Sequence, residues 1–161
     1  MQPLSWREKF AGIFILVLGL IFLVLFVLEL STSRSSDVTS NADAIMVSKA
    51  ALYRHIRNIT SILIALVGAL GLLRQKQIGW MLSVPFLLII GVIAGYFFFL
   101  MLVTGLAMMS FAPGIALLLV ILSLLFLLLP SAREKYRVSS KTILPTLVFL
   151  LAIGAIFFLL Q

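Results

Sequence analysis

Long apolar runs divide the chain, each bounded by charged or turn-forming residues. The first, Phe10–Leu28, carries no polar side chain. At about 1.5 Å per helical residue it spans about 28 Å, close to the ~30 Å hydrocarbon thickness of a bilayer. A signal peptide would have a shorter apolar core and small residues ahead of its cleavage site. This run ends Val27-Leu28-Glu29-Leu30, so an uncleaved first span over 10–28 is expected.

Ser31–Ser40 (STSRSSDVTS) is polar and without apolar period, as in a solvated loop. Ser40 and Asp43 form an S-x-x-D helix start. From about Asn41 the pattern turns amphipathic. Ile45, Leu52, Ile56 and Ile59 share one helical face, and Arg54, Arg57, Asn58 and Ser61 the opposite one. Past Thr60 the polar face disappears. An outer loop and amphipathic lead-in, 31–55, is therefore predicted to run unbroken into a second span, 56–73.

The basic turn Arg74-Gln75-Lys76-Gln77 separates that span from the third, 79–107, with Trp80 expected at headgroup depth. The third run exceeds one bilayer thickness, which predicts tilt or a protruding end. Pro85 should loosen a turn near its start. Gly91 and Gly95 form a G-x-x-x-G, which permits close helix–helix contact. Pro113 suits the first turn of a fourth span, 113–129, which stops at Pro130. Ser131–Lys141 (SAREKYRVSSK) reads as the most basic loop, and a fifth span covers 142–160 with Pro145 in its first turn.

Composition agrees with this pattern. The chain of 161 residues is 63% hydrophobic and 11% charged, with a mean hydropathy of +1.29. Soluble domains are about 45–50% apolar and about 25% charged. The predicted fold is all-α: a polytopic integral membrane helical bundle of about five transmembrane helices, forming a single transmembrane domain. The net charge of +7 lies beside the apolar runs, where it sets topology. No nucleic-acid-binding motif accompanies it. Placing the N-terminus inside puts Arg7, Lys9, Arg74, Lys76, Arg133, Lys135, Arg137 and Lys141 on the inner side. Arg34, Lys49, Arg54 and Arg57 fall outside. The expected orientation is N-in/C-out. The chain has no cysteine, which removes disulfides and thiolate chemistry and fits a bacterial inner (plasma) membrane.

Candidate chemistry is sparse. Ionisable groups at depth mark transport or catalysis in membrane proteins, and no predicted span carries one at its centre. Ser61, Ser83, Thr104, Ser123 and Thr146 are expected to bond to their own backbone four residues back. Tyr96 is expected near mid-membrane, packed and bonded to a backbone carbonyl rather than to a ligand. With one histidine and no cysteine, a zinc or haem site within the chain is not expected, and no cofactor is called for. His55 reads as an interfacial packing residue. Asn58-Ile59-Thr60 matches a glycosylation acceptor but lies too near the membrane to be one.

Arg54 and Arg57 are more informative. Two readings stand open: a pair with Glu29 that ties span one to span two, or contacts to lipid phosphates. Glu29, Arg54, His55, Arg57 and Asn58 are thus the candidate partner or lipid contacts. Gly91, Gly95 and Tyr96, with the small residues Ala65, Gly68, Ala69 and Gly71, are the candidate helix-packing surface.

The function expected from this is non-enzymatic: an accessory, assembly or stabilising subunit of a larger membrane complex, with the bilayer and a membrane protein as partners. The alternative is a small transporter, lipid-handling protein or pore acting as a homo-oligomer. A third class, a lipid-modifying enzyme using His55, Arg54 and Arg57, lacks a partnered acid or nucleophile.

Overall fold

A computed structural model describes residues 5–33, 43–104 and 111–159; the side chains of 32–33, 43–51, 140 and 157–159 lie outside the description. The Ser40–Asp43 helix start and Ile45 therefore fall outside it. Six helices make up the described residues, with no strand among them: α1 (Trp6–Ser33), α2 (Asp43–Leu73), α3 (Gln77–Val103), α4 (Phe111–Leu128), α5 (Pro130–Lys135) and α6 (Ser140–Leu159). The first four are long and apolar enough to cross a membrane. The predicted fifth span corresponds to α6, within which the described apolar stretch is Lys141–Ile156.

Helices α1 to α4 form an antiparallel ring. Gly12 of α1 approaches Leu73 of α2, and Gly19 approaches Ala65. Ser83 of α3 sits against Gly68 of α2, and Gly91 and Phe98 of α3 meet Val120 and Gly114 of α4. Phe10 of α1 meets Phe126 of α4 edge-on, closing the ring. Across its middle, Phe22 of α1 meets Phe86 of α3. Helix α6 packs against α3, and both start at the same end of the bundle.

Between helices in lipid the hydrophobic effect contributes little, so close packing and hydrogen bonds must hold them. The sharpest case is the α2–α3 crossing. A Cβ added to Gly71 would lie 2.6 Å from the Gly79 Cα, and one added to Gly79 would meet the Gly71 and Leu72 backbone. Only glycine permits that approach. Ala65 and Ala69 are fully buried beside it. Gly91 and Gly95 face α4, at Val120 and Leu117, within this chain.

Four details add to the sequence pattern. The apolar face of α2, Leu52, Ile56, Ile59 and Leu63, points outward, while Ser61 is buried and Asn58 reaches α1. In lipid the outer surface is the apolar one, so the polar stripe turns toward neighbouring helices. Helix α3 gives way to a turn at Thr104, short of 107. The basic segment after Pro130 is not a plain loop, because its first half is α5. Trp80 and Tyr136 are buried against neighbouring helices.

Candidate functional site at the two ends of the bundle

Polar side chains collect at the two ends. The near end carries residue 5, the α2–α3 turn and α5; the far end carries the close of α1 and the first described side chains of α2.

At the far end, Glu29 bridges two residues of α2. Its Oε1 accepts from Arg54 Nε at 2.7 Å, and its Oε2 accepts from Asn58 Nδ2 at 2.9 Å. The pair is open to its surroundings, with side chains 53% and 25% exposed for Arg54 and Glu29. Arg57 lies half-buried without an ion-pair partner among the described residues, and its carbonyl accepts from Ser61 Oγ at 2.8 Å. The His55 ring stands edge-on to Phe26 at 5.6 Å. Its Nδ1 is buried and has no hydrogen-bond partner among the described residues.

The near end is built more tightly. Ser5 and Glu8 start α1 as a capping box: the Ser5 N–H donates to Glu8 Oε2 at 3.0 Å, and the Glu8 N–H to Ser5 Oγ at 3.4 Å. The same Glu8 Oε2 accepts from Lys135 Nζ of α5 at 2.7 Å. This pair is 4% and 10% exposed for Glu8 and Lys135. The next residue, Tyr136, donates its phenol to the Leu72 carbonyl of α2 at 3.1 Å. Burial, reinforced by the negative charge of Glu8, raises its pKa well above the usual phenol range, so the donor stays protonated. Trp80 Nε1 donates to the Leu127 carbonyl at 2.8 Å. Gln77 Nε2 bridges Thr142 Oγ1 at 2.7 Å and the Arg137 carbonyl at 3.3 Å. One set of bonds thus ties α1, α2, α3, α4, α5 and α6 together.

Both chain reversals at this end close as Schellman motifs. After α2, Gln75 N–H donates to the Leu72 carbonyl and Lys76 N–H to that of Gly71, at 3.0 and 2.8 Å. After α5, Arg137 N–H donates to the Glu134 carbonyl and Val138 N–H to that of Arg133, at 3.0 and 2.8 Å. The residue at the left-handed position is usually glycine, yet here it is Gln75 at φ 55° and Arg137 at φ 51°. Between the two turns lies a cavity of about 760 Å³, lined by Arg74, Gln75, Gln77, Ser131, Glu134, Lys135, Tyr136 and Arg137.

Of the residues singled out in the sequence, Glu29, Arg54 and Asn58 come together and His55 packs beside them; Arg57 stays apart. Tyr96 is 62% exposed and touches only the neighbouring ring of Phe97 among its described aromatic contacts, so it is not packed within the bundle. Ser61, Thr104 and Thr146 bond to the carbonyl four residues back. Ser83 and Ser123 are buried without a hydrogen-bond partner among the described residues. The near-end residues Glu8, Lys135, Tyr136, Gln77 and Thr142 were not among the candidates. Only the Ser5-x-x-Glu8 spacing announced any of them. Among the described residues no three His, Asp or Glu side chains gather to hold a metal ion. The chain matches no family model, no curated protein and no solved structure.

Proposed function

We propose that the chain is a non-enzymatic integral membrane protein that serves as an accessory, assembly or stabilising subunit of a larger membrane complex. The observation that carries this reading is the use made of the charges at the two bundle ends. Glu8 and Lys135 are committed to each other and to a helix cap, and Glu29 to Arg54 and Asn58. Such groups lock helices to one another, leaving apolar outer faces for a membrane partner. Leu144, Leu147, Val148 and Leu151 form one such face on α6.

Deleting the gene should lower the steady-state level of a membrane protein that co-purifies stoichiometrically with this chain in mild detergent. A lone homo-oligomer that drives solute flux in liposomes overturns the reading. Orientation with the N-terminus inside is part of the proposal, supported by the near-end cluster of Arg7, Lys9, Arg74, Lys76, Arg133, Lys135, Arg137 and Lys141. The chain lacks cysteine, so a single cysteine placed at Lys76 reports its side by labelling. Access from outside intact cells contradicts the orientation.

A second reading, lipid handling, is favoured by a groove of about 420 Å³ between α1 and α4. Trp6, Phe10, Ile13, Phe14, Val17 and Leu119 give it apolar walls, and Lys9 also lines it. Those walls suit the tail of a lipid. Accelerated lipid transfer between vesicles by the purified chain, slowed by filling the groove with Val17→Trp, would favour this reading over the first.

A further inference from the structure

We propose that the near-end cavity between the α2–α3 turn and the α5–α6 link is a binding site for a phosphate group. The inference goes beyond the accessory role and stands whether or not that role holds.

Three observations converge. The first is charge. Arg74 and Arg137 both line the cavity, and neither has an ion-pair partner among the described residues. Lys135 adds a third cation at the wall, held by Glu8. Glu134 is the one carboxylate in the lining. Guanidinium forks match the geometry of phosphate oxygens and bind them with charge-assisted hydrogen bonds.

The second observation is backbone cost. The two turns that bound the cavity place Gln75 and Arg137 where glycine is the ordinary choice. A side chain kept at a left-handed position, twice, with both lining the same cavity, points to a use for those side chains. A turn without such a use would be served better by glycine.

The third observation is rigidity. The walls are fixed by hydrogen bonds that run from buried to exposed: Tyr136 to Leu72, Lys135 to Glu8, and Gln77 to both Thr142 and Arg137. The cavity is therefore formed before any ligand arrives, which lowers the ordering cost of binding. It sits where apolar helices end, the depth at which phospholipid headgroups lie. A phosphate there belongs either to a lipid headgroup or to a soluble phosphate; the recognition chemistry is the same.

The test uses the full chain purified in detergent. Isothermal titration with inorganic phosphate reads the soluble source. Native mass spectrometry of mixed micelles containing phosphatidate, against micelles containing diacylglycerol, reads the lipid source, because those two lipids differ in the phosphate. Arg137→Gly is the informative variant. It removes a guanidinium and supplies the residue the turn prefers, so the fold is retained by design. The expected result is affinity for one of the two probes that falls about tenfold in Arg137→Gly and in Arg74→Gln, in line with loss of one charged hydrogen-bonding group. Thr104→Val, at the far end, should leave it unchanged. Saturation by phosphate identifies a soluble ligand, and retention of phosphatidate alone identifies a headgroup. Absence of binding to either probe, or equal binding by wild type, Arg137→Gly and Arg74→Gln, overturns the site.

Discussion

Each end of the bundle holds a carboxylate from α1 against a cation from another helix, at the same N–O distance of 2.7 Å. The surroundings make the two pairs different objects. Glu29–Arg54 is open, and an open pair adds only about 0–1 kcal/mol, because water and salt screen it and two long side chains must be ordered. Glu8–Lys135 is enclosed. Its net contribution over an apolar pair is small, but removing one partner strands the other charge, at a cost of about 3–5 kcal/mol. Equal distances therefore carry unequal consequences. The near end is a locked platform built from all six helices, and the polar contacts described at the far end join only α1 and α2.

Breaking the near pair gives the largest expected effect. Glu8→Gln should destabilise the detergent-solubilised chain by about 3–5 kcal/mol, read from its unfolding midpoint in denaturant. The double variant Glu8→Leu/Lys135→Met should recover most of that loss, since neither charge is then left alone. Failure of Glu8→Gln to move the midpoint by at least about 1 kcal/mol would place the near pair in the same class as the far one.

Tyr136 gives an intermediate effect with a pH signature. Its phenol has an ordinary pKa of 10.0, raised in the folded chain by burial and then by Glu8. The folded state holds the proton more tightly than the unfolded state. Stability from this group is thus fully present below pH ~10 and falls as pH rises above it. Tyr136→Phe should cost about 0.5–1.5 kcal/mol at neutral pH, because the Leu72 carbonyl loses one of its two donors and keeps the Gln75 N–H. It should also flatten the loss of stability above pH ~10 relative to wild type. Identical alkaline profiles would show that Tyr136 does not carry this dependence.

The smallest effect belongs to the far end. Glu29→Gln and Arg54→Gln should each shift stability by less than about 1 kcal/mol, and the shift should shrink further in high salt. A larger loss would mean that the bilayer surface shields the pair more than its exposure implies.

The sequence revealed the helical membrane architecture because runs such as Phe10–Leu28 admit no other reading. It also brought Glu29 level with Arg54 and Arg57, since the end of one span and the start of the next share a depth. It did not separate Arg54 from Arg57, whose positions one helical turn apart are resolved only by how α1 and α2 face each other. The near end was largely hidden. Lys135 and Tyr136 resemble any basic, aromatic flank of a span. Their partners, Glu8 and the Leu72 carbonyl, lie far away in the chain. The bond of Trp80 to the Leu127 carbonyl was hidden for the same reason, since its partner lies on another helix.

The central claim is that the two ends differ in how they hold α1. Paired double-mutant cycles test it directly, with coupling energies measured for Glu8–Lys135 and for Glu29–Arg54 in the same detergent and salt. The expected result is a near-end coupling larger than the far-end one by about 2 kcal/mol or more. Equal couplings, or a larger one at Glu29–Arg54, would contradict it.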